Sequence, residues 1–105
     1  MSYVIVYITF SNKEEAEKIA KVLVEKRLVA GANIIPEITS FFWWKGKLEE
    51  EKESALIAKT KKEVFDKLLQ EVKKLHSYEC PCVIALPIVE GSPDFLNWID
   101  EEVQK

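Results

Sequence analysis

The chain reads as an α+β protein, a ferredoxin-like βαββαβ sandwich with one helix added at its C-terminal end. Three observations predict this. Runs rich in β-branched and aromatic residues alternate with two amphipathic helical stripes, in the order strand, helix, strand, strand, helix, strand. The two middle strands meet at Lys45-Gly46-Lys47, a hairpin turn signal that joins two split βαβ halves. No linker, low-complexity stretch or repeat divides the 105 residues, so residues 1–105 are expected to form one domain.

Tyr3 to Phe10 is apolar on both faces, the pattern of a central strand covered on both sides. Ser11 with Glu14 makes a capping box, and Ala16, Ile19, Ala20, Leu23 and Leu28 then recur at helical spacing until Gly31 ends the segment. Ala32 to Ile35 opens the second strand. Pro36 requires an edge or a bulge there, and the strand resumes from Ile38 to Trp44. Leu48 to Thr60 returns, polar first and apolar after Ser54. Thr60 with Glu63 is a second capping box, ahead of a stripe at Val64, Phe65, Leu68, Leu69, Val72 and Leu75. Val83 to Val89 is the fourth strand, with Pro87 again at an edge or bulge. Ser92-Pro93 then starts the last helix, which turns Phe95, Leu96, Ile99 and Val103 inward.

Composition narrows the function. A chain this long buries roughly two thirds of its unfolded surface, enough to fold without disulfides or structural metal. The formal charge of -3 offers no basic field for nucleic acid or an anionic membrane. The apolar run at Tyr3–Phe10 is too short to span a bilayer and lacks the basic flank and cleavage site of an export signal, so the expected compartment is the cytoplasm. There Cys80 and Cys82 are expected as thiols, and a strand would hold them near the limit of a bridgeable separation.

Phe41-Phe42-Trp43-Trp44 places four large aromatics in one strand, two on each face. Two main helices cover one face only, so the other pair would expose on the order of 300–400 Å² of apolar surface. Such a patch calls for a partner, and the long hairpin also offers free edges, so a homo-oligomer is expected. The alternative is that the terminal helix folds over these rings.

One segment collects potential metal ligands: His76, Glu79, Cys80 and Cys82. Imidazole and thiolates suit copper or zinc, although the spacing matches no established zinc pattern. The alternative is a helix terminus and a turn, with the cysteines acting as small apolar residues. The acidic run Glu49 to Glu53 reads as a solvated strand whose alternate residues face opposite sides. No acid is in view to orient a Cys–His pair and no glycine loop to cradle phosphate, so no enzyme is expected. An RNA-recognition module would need stacking aromatics on Glu51 to Ala58. A heavy-metal chaperone would need Cys-x-x-Cys, and an acylphosphatase an arginine, in Thr9 to Lys13. None is there.

Several motifs in order then resemble one family over nearly the whole chain. Arg27-Leu-Val-Ala-Gly-Ala-Asn33, Trp43-Trp44-Lys45-Gly46-Lys47-Leu48, Leu56-Ile-Ala-Lys-Thr60, His76-Ser-Tyr-Glu-Cys-Pro81 and Trp98 are similar to segments of the CutA divalent-cation tolerance proteins. The resemblance implies a PII-like homotrimer assembled through intersubunit strand pairing, an association with copper or another divalent cation, and no obligatory cofactor. It groups Trp43, Trp44, Lys59, Tyr78 and Glu79 near a subunit boundary or cleft, where a small molecule or partner protein could bind. Gly31 stands where the family often has the cysteine linked to copper, which moves the implied metal role toward Cys80 and Cys82.

Overall fold

A computed structural model describes residues 2–105. Strand β1 (Tyr3–Phe10) leads to helix α1 (Lys13–Glu25), the hairpin of β2 (Gly31–Trp44) and β3 (Lys47–Lys61), a single 3₁₀ turn, helix α2 (Phe65–Leu75), strand β4 (Val83–Pro87) and helix α3 (Pro93–Glu102). The four strands lie in the order β2-β3-β1-β4, every pair antiparallel. This is the ferredoxin-like arrangement the alternation of strands and helices predicts.

Alternation along β1 sorts its side chains. Val4, Val6, Ile8 and Phe10 are buried with Leu56 and Ala58 of β3, under Ala16, Ile19, Ala20 and Leu23 of α1 and Leu68 and Val72 of α2. Tyr3, Ile5, Tyr7 and Thr9 face the other way and stay partly exposed, so this central strand is covered fully on one side only. On that second side α3 covers one end, where Ile99 and Val103 pack with Val64 against Tyr3, Ala30, Ile88 and Leu96. The Trp98 ring lies over Gly31 so closely that a Cβ there would stand 3.1 Å from it.

The helix ends differ from the capping boxes read in the sequence. Asn12, not Ser11, caps α1, its Oδ1 accepting the Glu15 N–H at 2.8 Å. The helix stops at Glu25, before Gly31, in a Schellman motif: Leu28 N–H reaches the Leu23 carbonyl and Arg27 N–H that of Val24. Arg27 takes the left-handed backbone (φ 56) that glycine usually fills. Thr60 is no cap either. It is buried inside β3 and its hydroxyl donates to the Leu28 carbonyl at 2.6 Å. Ser92 holds the N-cap position of α3 without a side-chain bond, ahead of Pro93. β4 ends at Pro87, two residues sooner than the apolar run predicts.

Beyond Ser54 the two strands of the hairpin pair only with each other. The bulge demanded by Pro36 falls between Ile35 and Ile38, and the Ser54 hydroxyl donates to the Pro36 carbonyl at 2.5 Å to fix it. At the tip, Lys45 (φ 49) and Gly46 (φ 79) both take left-handed conformations, the requirement of a tight two-residue turn between twisted strands. No helix reaches this far. Phe41 (65 %), Phe42 (37 %), Trp43 (73 %) and Trp44 (39 %) are therefore all exposed, more than the two per strand expected, and α3 at the opposite end of the sheet hides none of them.

Candidate functional site

The segment after α2 is fixed by its first three residues. His76 caps the helix, its N–H on the Val72 carbonyl, and its ring stacks on Phe10 with centroids 4.8 Å apart. Its Nδ1 accepts the Tyr78 N–H at 3.0 Å, so this nitrogen carries no proton. Nε2 therefore bears it and donates to the Thr9 carbonyl at 2.7 Å. The sequence makes that tautomer inevitable once the backbone comes this close: both ring nitrogens are spent on the main chain. Ser77 is held from α1, its N–H and hydroxyl donating to the two Glu15 carboxylate oxygens at 2.8 and 3.1 Å. Burial pushes the Glu15 carboxyl up, but these bonds from Ser77, the nearby His76 and the Ser11 backbone bond outweigh it and hold the group below its usual range.

So anchored, residues 76–82 cross the end of β1 and face the overhanging hairpin across an open cleft of about 1000 Å³. Tyr78 leans into it, and its hydroxyl donates to Glu53 Oε2 at 2.5 Å. Glu53 is only 8 % exposed. Burial, then the bond to Glu53 and its charge, push the Tyr78 phenol well above the ordinary tyrosine value, because ionisation would leave two anions in contact. Burial also raises the Cys82 thiol, followed by the Glu53 charge and Cys80. Tyr7 is raised for the same kind of reason, by burial first and then by Cys82 and Glu53. The inner wall of the cleft thus favours neutral thiol and phenol groups around one carboxylate.

Of the residues singled out in the sequence, Trp44, Tyr78, Glu79, Cys80 and Cys82 line this cleft. Cys80 and Cys82 are both free thiols. His76 lies behind the wall with neither nitrogen free, and among the described residues no three His, Cys, Asp or Glu side chains are grouped to hold one ion. Trp43 points to the other face of the hairpin tip, opposite Leu48. Lys59 sits six residues from Glu53 along β3, about 20 Å away, and donates to Asn33 Oδ1. Glu53 is the participant that sequence reasoning passed over. The signal was present: Glu49, Glu51 and Glu53 are two apart and so share a face, the last of them where the strand turns apolar.

A family model described as CutA1 divalent ion tolerance protein matches residues 4–102. The chain belongs to the CutA1 family. It is 54 % identical over 99 residues to the divalent-cation tolerance protein CutA of Archaeoglobus fulgidus, covering 94 % of this chain and 96 % of that one. A solved structure described as the periplasmic divalent cation tolerance protein CutA of the same organism superposes with a TM-score of 0.93 at 51 % identity, over 97 % of this chain and 99 % of the other. Rice CutA1 gives a TM-score of 0.96 at 37 % identity, over 100 % and 96 %. The CutA1 fold therefore extends through the overhanging hairpin and α3, the two parts that a minimal ferredoxin-like unit lacks.

Proposed function

We propose that this CutA1 chain works as a non-catalytic homotrimer that takes up a copper-like divalent cation at the cleft between the hairpin and residues 76–82. The uncovered sheet face carries the assembly part of the reading. Ile84 (51 %) and Leu86 (49 %) stand on it beside Ile5, Tyr7 and Ile57, while Phe41, Trp43 and Leu48 are bare at the hairpin tip. Exposed apolar surface of that extent on a small chain is met by another subunit. The long edge of β2 supplies unpaired backbone for strand addition. Three copies, rather than two, follow the family resemblance.

The cation part rests on donor chemistry. Cys80 and Cys82 offer two thiols, and Glu79 a carboxylate now paired with Lys45, to one open space, and thiols suit a soft ion. His76 could join only by giving up its bond to Tyr78 or Thr9, so it acts as the positioning residue of the wall. Among the described residues these donors are not grouped for one ion within a single subunit, so in this reading the site is completed by donors from a neighbouring copy. The thiols stay reduced in the cytoplasm, the compartment this reading assigns.

Calorimetric titration of the reduced protein with copper and zinc, with the mass followed by light scattering, tests both parts. Saturable binding near one ion per subunit or per trimer, lost in the Cys80→Ala/Cys82→Ala double variant, is the expected result. Absence of stoichiometric binding, or variants that behave alike, would remove the metal role. A second reading, a signalling or scaffold module with a small effector between subunits, draws on Lys59 and Asn33. They place a polar, cationic spot on the same apolar face. A ligand screen that finds no thermal shift would count against it.

A further inference from the structure

A lysine reaches across the cleft. The Lys45 ammonium lies 3.6 Å from Glu79 Oε2 and 5.5 Å from the centre of the Trp44 ring. Trp44 and Glu79 both line the cleft, one on the hairpin and one on the segment facing it, so the contact bridges the two walls. Lys52, in the lining itself, gives its ammonium to Thr39 Oγ1 at 3.0 Å. Glu79 is the carboxylate offered beside the two thiols, and Lys45 already holds it.

The turn places this side chain against its own preference. Lys45 has φ 49, a left-handed backbone that crowds any Cβ, and Asn, Asp or Gly fills the first position of such a turn most readily. None of those three carries a cation. A long cationic side chain at a position that disfavours it points to a use for its ammonium. The contact is also exchangeable. The two side chains are 70 % and 71 % exposed, so water and salt screen the pair, and it can compete with an incoming charge but not lock it out. Lys45 belongs to the turn and Glu79 to the segment before β4, so neither sits on the open sheet face given to a neighbouring copy.

We infer that Lys45 is a specificity-determining residue of the cation site, an internal competitor that holds the Glu79 carboxylate until an incoming ion displaces it. The inference rests on the cation reading above. An ion that needs the carboxylate must break the Lys45 contact, whereas an ion held by the thiols alone need not. The probes are zinc, which takes carboxylate and thiolate together, and cadmium, which thiolates hold well. Each is titrated calorimetrically into the reduced full chain at about physiological ionic strength. Lys45→Met keeps the length of the side chain and should tighten zinc about two- to fivefold, and cadmium less. In a Glu79→Gln background the same change should alter neither. The Lys45 ε-methylene protons give a readout by nuclear magnetic resonance that needs no metal. The Trp44 ring should shift them upfield in the ion-free protein, and that shift should shrink in Glu79→Gln and on saturation with zinc. A zinc gain that persists without the Glu79 carboxylate, or that cadmium shares in full, would reflect the long-range field of the charge and overturn the inference. So would a Lys45 shift that zinc leaves unchanged. Zinc uptake by none of these proteins would remove the cation reading, and the inference with it.

Discussion

Removing one oxygen from Tyr78 should loosen the whole wall of the cleft. In Tyr78→Phe the ring keeps its tilted contact with His76, centroids 4.7 Å apart, so the loss is confined to one hydrogen bond. That bond ends on a carboxylate with 8 % of its residue surface exposed. A bond to a charged acceptor in such a place contributes about 1.5–3 kcal/mol. Glu53→Gln keeps an acceptor oxygen and costs less, about 1 kcal/mol, and the double variant should cost less than the two singles together by about 1 kcal/mol or more. For a chain of this length the Tyr78→Phe loss corresponds to a fall in Tm of roughly 8–15 °C. Guanidinium and thermal unfolding at one fixed protein concentration measure it, since assembly makes stability depend on concentration. The phenol gives a second readout by ultraviolet absorbance: Tyr78 ionises above the ordinary tyrosine range, and Glu53→Gln moves it down. Strictly additive unfolding energies, with a phenol titration indifferent to residue 53, would refute the coupling.

Three further outcomes follow from the same structure. Lys61 is 2 % exposed and its ammonium lies 3.5 Å from Asp100 Oδ1. Asp100→Ala, which strands that charge, should therefore destabilise by about 3 kcal/mol, whereas replacing both partners, Lys61→Met with Asp100→Leu, should be near neutral by chemical denaturation. The Glu15 carboxyl is held below its usual value, so its grip on Ser77 is complete above the unfolded value of about 4.3 and fades as pH falls through the lower folded one. Protection of the Ser77 amide against hydrogen exchange, taken relative to its intrinsic rate at each pH, should fall in that acid window, and Glu15→Gln should abolish this dependence. Burial, Glu53 and Cys80 keep the Cys82 thiol protonated, so iodoacetamide should alkylate Cys80 first, and Glu53→Gln should speed the reaction of Cys82.

The fold was legible because its signals are local and repeated. Two helical stripes, four strand runs and the Lys45-Gly46 turn each carry their own period or conformational demand, and they agree with one another. The misplaced caps show where locality ends. Ser11 and Asn12 are equally good cap residues, and only the path of the chain out of β1 selects Asn12. Thr60 has the right neighbour in Glu63, yet a carbonyl thirty-two residues earlier claims its hydroxyl. The candidate site was half legible. Period two on β3 places Glu49, Glu51 and Glu53 on one face, but no pattern tells that Tyr78 comes over to Glu53, or that Thr9 and Tyr78 take up both nitrogens of His76. Those contacts join segments far apart in sequence, and they decide which of the polar residues near Cys80 remain free to bind anything.

The central claim is that the open face of the sheet is a subunit interface, and the mass in solution tests it most directly. Light scattering at micromolar concentration should give three times the 12.1 kDa chain, about 36 kDa, and Ile84→Glu with Leu86→Glu should break that species up. A wild-type mass of one chain across the micromolar range would contradict the account. So would a trimer indifferent to both charges, which would leave the exposed face of β1 and β4 without the partner proposed for it.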